Sequence, residues 1–419
     1  MSVTSIFRAL KTSSNLMLLG FLSSFFGTML VEGSVPSMVA LGFLPLAWVP
    51  VYSTLTRLLD SSSVFVARYL ARFRAGSILV FCECADIFLS ALAILVIWSV
   101  PVNPALVLSI YILSVSFLPT LVDLAEEMYA ENISRVSESA ALNFNATVLM
   151  LVPAVSLIVA KPLGSLVVES SILLLILANA VFSAAGLFFR LASLRCSDLV
   201  ELQVGNGSLD KGSSRTRFRT ELLSYAPGAA LLVPTISLTS GLTSMYLVIW
   251  ISQYFENAGG AIAFFIMIGG VGMVFGPWLG RRFIRVYKFS TNVAGCLFVL
   301  LMLNLVAFFL ALSGCFMVGG RLIFIVLSSV YLFSSSVFAS WIYFVNVTAR
   351  QKRYSGGQFA SALGLSHTLS SVLFMLGSWL GLALDVAGDP TPAFMVIAIV
   401  LVIPLWAMDF KDELRFEKG

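Results

Sequence analysis

The residues of this sequence that could do chemistry are ionisable side chains set among long apolar runs. Glu32 stands in an otherwise uncharged run, Arg57 and Asp60 lie three residues apart in the next, Glu83 and Asp86 repeat that spacing in the one after, and His367 interrupts a run nearer the C-terminus. An ionisable group is costly to hold in hydrocarbon, so it pairs with another charge or faces a water-filled path. Three-residue spacing puts both members of a pair on one helix face. Arg57 lies 11 residues before Arg68, and Asp86 lies 10 after Gly76. Adjacent antiparallel helices would bring them to similar depth, so Arg57 is expected to partner Asp86 or Glu83. A neutralised cluster that only holds helices together would use the same residues as one that couples or gates.

Other chemistries find no support. With one histidine in the chain, a multi-histidine metal site is excluded and no nucleophile–base pair is visible. No Gly-rich loop followed by Lys-Ser/Thr is present to cradle ATP. No enzymatic activity, cofactor or metal is expected. Energy would come from an ion gradient, with protons as the candidate, or movement would run downhill. Cys82, Cys84, Cys196, Cys296 and Cys315 are scattered and mostly lie in apolar segments, where they read as small buried hydrophobes.

The elements that must position these residues follow from composition. Hydrophobic residues make up 59% of 419 positions and charged residues 11%, with a mean hydropathy of +0.99. A soluble domain carries about 25% charged residues, so a lipid bilayer must be the solvent for most of this chain. A spanning helix takes about 20 apolar residues, and the supply matches about twelve. The first six expected spans are Leu16–Leu41, Ala47–Val66, Ser77–Val100, Pro104–Leu124, Thr147–Val168 and Ser171–Phe189. The last six are Ala229–Ile251, Ile262–Leu279, Asn292–Leu312, Leu322–Phe344, Phe359–Leu384 and Ala393–Met408. The fold class is therefore all-α and transmembrane. An N-terminal half spans 1–193, a polar linker 194–226, a C-terminal half 227–409 and a short tail 410–419.

Basic residues set the orientation. With the N-terminus in the cytoplasm, that side receives Arg8 and Lys11, Arg68, Arg72 and Arg74, Arg135, six in the stretch from Arg190 to Ala226, four after the eighth span, three after the tenth and three in the tail. That is 22 of the 25 Lys and Arg. Both termini are expected to be cytoplasmic, in the cell's inner membrane. The basic linker reads as an inside-facing loop near anionic lipid, not as a nucleic-acid site. The acidic run Asp123, Glu126, Glu127, Glu131 reads as a solvated cytoplasmic loop, able to latch the basic loops.

The halves repeat. Ala67-Arg68-Tyr69-Leu70-Ala71-Arg72-Phe73-Arg74 closes the second span, and Gly276-Pro277-Trp278-Leu279-Gly280-Arg281-Arg282-Phe283 closes the eighth, about 209 residues later. Two six-helix repeats joined by a charged linker is a layout of secondary transporters. On these features the chain resembles the major facilitator superfamily over essentially its whole length, and its efflux branch in particular. The two segments resemble that family's basic loop after the second and eighth helices, though both lack its Asp and the first lacks the leading Gly.

The resemblance implies a central cavity lined by the first helix, which makes Glu32 a candidate to carry protons. It also implies packing of the second helix on the eleventh, which would bring Asp60 toward His367, a group that changes charge near neutral pH. Lys161-Pro162-Leu163-Gly164 keeps part of the exporters' fifth-helix motif, whereas the fourth span lacks the Arg many of them carry. Trp250, Tyr254, Trp341 and Tyr343 are candidates to line a cavity for a bulky apolar substrate. The expected function is export of a small amphipathic compound (a drug, siderophore or peptide-type natural product) by a monomer. A nutrient importer of the same fold, or a non-transporting membrane protein serving maturation or immunity, is the alternative.

Orientation is directly testable. Cysteine placed at Ser213 is expected to resist an impermeant thiol reagent added outside, and cysteine at Asn257 to react; the reverse labelling would overturn the topology.

Overall fold

A backbone in hydrocarbon has no water to bond, so its amides must be satisfied within each segment. The apolar runs accordingly fold as helices. A computed structural model of the protein describes residues 3–40, 48–58, 60–70, 72–99, 104–136, 138–168, 171–204, 227–245, 255, 258–284, 286–315, 320–354, 356–384 and 389–407, and contains no strand among them. The central linker from 205, the tail and the expected cavity residues Trp250 and Tyr254 lie outside the described residues.

The N-terminal half runs α1 (Val3–Ala40), α2 (Trp48–Arg57), α3 (Ser63–Leu70), α4 (Ala75–Ser99), α5 (Pro104–Val115), α6 (Phe117–Val136), α7 (Glu138–Pro153), α8 (Lys161–Val167) and α9 (Ile172–Val204). The C-terminal half runs α10 (Pro227–Met245), α11 (Ala258–Phe283), α12 (Phe289–Leu312), α13 (Gly320–Arg353), α14 (Gly356–Ala383) and α15 (Thr391–Ala407). Nine helical segments among the described residues are long and apolar enough to cross a membrane. Two shorter ones, Leu231–Met245 and Thr391–Trp406, stand where the seventh and twelfth spans are expected. The second expected span is the exception. It is split into α2 and α3, with a single 3₁₀ turn at Asp60–Ser62 between them. Together these make the twelve-helix fold. Its lipid-facing character is plain at Trp98 and Trp406, which are 84% and 87% exposed near helix ends, where the amphipathic indole ring suits the membrane interface.

The first span is one unbroken helix, as expected, and holds Glu32 within it. The boundaries of three other spans move. The fourth runs on to Val136, which carries the acidic run Asp123–Glu131 inside a helix instead of in a solvated loop. The sixth continues past Phe189 to Val204, so Arg190 belongs to a span and not to the linker. The tenth reaches Arg353 and takes Arg350 with it. In each case a charge that ends a hydropathy window is buried against another charge, and the helix continues through it.

Packing repeats between the halves. α1 packs on α8 and α9, and its counterpart α10 packs on α14 and α15; α4 packs on α9 as α12 packs on α15. The halves meet where α14 lies on α3 and where α11 lies on α7 and α8, contacts that a two-fold relation exchanges. Close approach is built from glycine. A Cβ on Gly164 would strike the Leu30 backbone and one on Gly33 the Lys161 backbone; in the other half, Gly241 meets Phe374 and Gly377 meets Leu238 in the same way. Small residues let membrane helices reach van der Waals contact along their backbones. Ser165 adds a hydrogen bond to the Gly33 carbonyl at 2.7 Å. Between α7 and α8, Ala154–Ala160 form a π-helical turn after Pro153, a local widening that lets Leu157 press on Gly270 of the other half.

Candidate functional site

The charges gather into three clusters, and the most buried one involves a residue that hydropathy had put in the linker. Arg190 Nη1 lies 2.9 Å from Glu83 Oε1, with both side chains 1% exposed, and donates to the Leu79 carbonyl at 3.0 Å. An isolated ion at such a site would cost several kcal/mol. Arg190 therefore ties α9 to α4. Asp86, one helical turn on, pairs with no cation among the described residues. It accepts hydrogen bonds from Asn179 Nδ2 at 3.0 and 3.1 Å and from the Ser183 hydroxyl, while Asn179 also donates to Tyr111, itself bonded to Ser90. The expected pairing of Arg57 with Glu83 or Asp86 does not occur, because α9 supplies the partners for both acids. A narrow cavity of about 30 Å³, room for a water molecule or two, touches Ser24, Glu83, Asp86, Asp123 and Arg190.

A second cluster surrounds the break in the second span. Arg57 closes α2 and reaches Asp60 at 2.9 Å, with side-chain exposures of 45% and 7%. The two ends suit their charges: a cation belongs at a helix C-terminus and an acid where the next helical turn begins. Thr120 of α6 donates to Asp60. Arg57 also stacks over Phe374 of α14, 5.1 Å from the ring centroid, and Trp379 of the same helix donates to Thr54 at 2.9 Å. Nearby, Lys161 Nζ and Glu32 Oε2 stand 3.5 Å apart, 25% and 23% exposed. Glu32 and Asp123 both act electrostatically on Arg57.

The third cluster crosses between the halves. Glu127 of α6 pairs with Arg350 of α13, which is 2% exposed, and its other oxygen faces His367 Nε2 of α14 at 3.4 Å. Asn145 of α7 and Gln351 of α13, both buried, exchange amide hydrogen bonds alongside. Asp60 thus bonds Arg57 and Thr120, and Glu127 takes His367. α14 does pack on the second span, but it delivers the imidazole to α6. Tyr343 and Asp123 lie within electrostatic reach of this cluster.

The remaining sequence candidates fall elsewhere. Arg72, Arg74, Arg281 and Arg282 are exposed, Gly280 packs on Phe344 and Trp341, and the side chain of Arg68 lies outside the described residues. Trp341 stacks on Phe283 at 5.2 Å and Phe338 at 6.1 Å, between α11 and α13. Arg190, Glu127 and Arg350 are the functional candidates that hydropathy missed. Leu191-Ala192, just beyond Arg190, and Phe344-Val345, leading toward Arg350, are the apolar signals that each helix continues.

No protein-family profile and no curated protein matches the chain. Solved structures do. The human organic anion transporter MFSD10 (TETRAN) aligns over 95% of this chain and 99% of its own at 12% identity, with a TM-score of 0.72. A bacterial homologue of the iron transporter ferroportin in an outward-facing state aligns over 94% and 98% at 17% identity, with a TM-score of 0.63. The same homologue with soaked iron gives 0.58 at 16%. At such identities the likeness is one of fold, and it covers both halves and their junction.

The buried pair can be weighed by substitution. Arg190→Met alone leaves Glu83 unpaired and is expected to cost about 3–5 kcal/mol, with Arg190→Met/Glu83→Gln recovering much of it. Unfolding titrations in mixed micelles would measure both; strictly additive losses would show that the two do not interact.

Proposed function

We propose that this chain, a multi-pass membrane protein with the fold of major facilitator transporters, is a secondary transporter that exports a small amphipathic solute across the inner membrane. The observation that carries the reading is the Glu127–Arg350–His367 cluster. It is charged, nearly dry and contributed by both halves, so it can exist only while those two surfaces are together. A membrane protein that never separated them could fill the same space with apolar side chains at no loss of stability. In alternating access, one half rocks on the other around a fixed site, and breakable polar contacts at one end supply a closed state that can be left.

The basic loops support a cytoplasmic position for that closed end and for both termini. Protons are the proposed coupling ion, because carboxylates and a lone imidazole meet at this junction. Glu32, whose nearest cation is the lysine of α8, remains a candidate carrier. The neighbours in structure transport an organic anion in one case and belong to an iron transporter's lineage in the other, which supports transport and leaves the solute open. Import by the same device is the second reading.

Cells with and without the protein, compared across a panel of intracellular metabolites, test the proposal. A solute that accumulates about tenfold when the protein is absent, and whose loss from cells collapses with the pH gradient, is expected. Glu127→Gln/Arg350→Gln, which removes the pair without stranding either charge, should fold and slow that efflux by about tenfold, corresponding to about 1.4 kcal/mol on the conformational step. Identical metabolite profiles with and without the protein would defeat the transport reading.

A further inference from the structure

The break in the second span has a property the other charge clusters lack. Arg190 and Glu83 are almost fully buried, at 1% exposure apiece. The groups around the break are half-open: Arg57 is 45% exposed, Lys161 25% and Glu32 23%, and the Lys161–Glu32 contact is long at 3.5 Å. These side chains belong to different elements, α1, α2 and α8, yet Glu32 acts electrostatically on Arg57. They therefore lie close together, and α14 of the other half approaches them with Phe374 over Arg57 and Trp379 on Thr54. The Tyr52 hydroxyl, one turn before Arg57 and also within reach of Glu32, is buried and has no hydrogen-bond partner among the described residues. Interrupted spans are where membrane transporters hold their solutes, because helix ends and unwound backbone can face a ligand there.

We propose that this break is the binding site for a small zwitterion with an apolar body, Arg57 receiving its carboxylate and Glu32 its ammonium group. The assignment deepens the transport reading and rests on it. Charge balance selects the class. Arg57, Lys161, Asp60 and Glu32 sum to zero, so a zwitterion enters without adding net charge, whereas a solute with one charge leaves an excess in a poorly solvated site. Asp123, the other acid in reach of Arg57, has His367 as its strongest electrostatic neighbour. Geometry supports the roles. A guanidinium offers a fork that a carboxylate can take with two hydrogen bonds, and Asp60 keeps the Thr120 hydroxyl when Arg57 turns to the solute. Phe374 and Trp379 form the apolar wall. Since they come from the opposite half, a solute held here touches both halves at once and can bias their relative position.

Three probes that differ only in charge test this: the dipeptide phenylalanyl-phenylalanine, its C-terminal amide (cationic) and its N-acetyl derivative (anionic), each titrated against thermal unfolding of the full chain in lipid nanodiscs. The dipeptide should give half of its maximal stabilisation at a concentration about tenfold lower than either analogue. Arg57→Gln/Asp60→Asn, which leaves no orphan charge, should bring dipeptide and amide within about twofold of each other, and Glu32→Gln should do the same for dipeptide and acetyl derivative. The melting transition of each variant reports whether it is folded. Equal potency of the three probes, tighter binding of a singly charged one, or no stabilisation of the folded wild type by any would overturn the assignment. Protein-dependent efflux of an uncharged or singly charged metabolite would leave the transport reading standing and sink this one alone.

Discussion

Taking a guanidinium or a carboxylate out of water costs several kcal/mol per ion even after the protein relaxes around it, and a chain that is 59% hydrophobic has little water to offer its interior ions. Each charge within the spans has to find a partner, and where that partner comes from shapes the molecule. Arg190 binds α9 to α4 within the N-terminal half. Arg57 and Asp60 stay within one span and hold the ends of its break together. Glu127 reaches across to Arg350 and His367 and joins the halves.

The partners differ in how easily they can be exchanged. The Arg190–Glu83 pair lies inside one six-helix unit, beside a cavity too small for anything but water, and the proposed rocking of the halves would leave it intact. It fixes the scaffold. The Glu127 cluster spans the boundary between the halves, where, under the proposed alternating access, a charge pair that forms and breaks can give two states of similar energy. Glycines set the complementary constraint. Backbone contact at Gly33 and Gly164, matched by Gly241 and Gly377 in the other half, makes α1 with α8, and α10 with α14, stiff units. Stiff units joined by a few polar contacts move as bodies and do not deform gradually.

Twelve spans, two halves and a membrane location are legible in the sequence because they rest on summed hydropathy and on repeated basic loops, both of which tolerate errors at single residues. The charge clusters are less legible, because a window that averages over about 20 residues treats a charge as the end of a helix. Arg190, Arg350 and the Asp123–Glu127 run all fall at such ends. Read as loop residues, they take with them the partners of Glu83 and His367. The three-residue separation of Arg57 and Asp60 puts them within reach of each other, and they pair there, where the expected partner of Arg57 was Glu83 or Asp86. Spacing between helices depends on rotation about each axis, which the sequence does not carry.

Separation of the halves at the Glu127 cluster is the motion on which the functional account turns. Asn145 and Gln351 are buried side by side on opposite halves there, so a cysteine at each, in a background with the native cysteines replaced, should form a disulfide that holds that end shut. The decisive measurement is efflux from cells carrying this variant before and after reduction. Transport blocked in the oxidised protein and restored by a reducing agent is the predicted result; full transport by the fully cross-linked protein would contradict it.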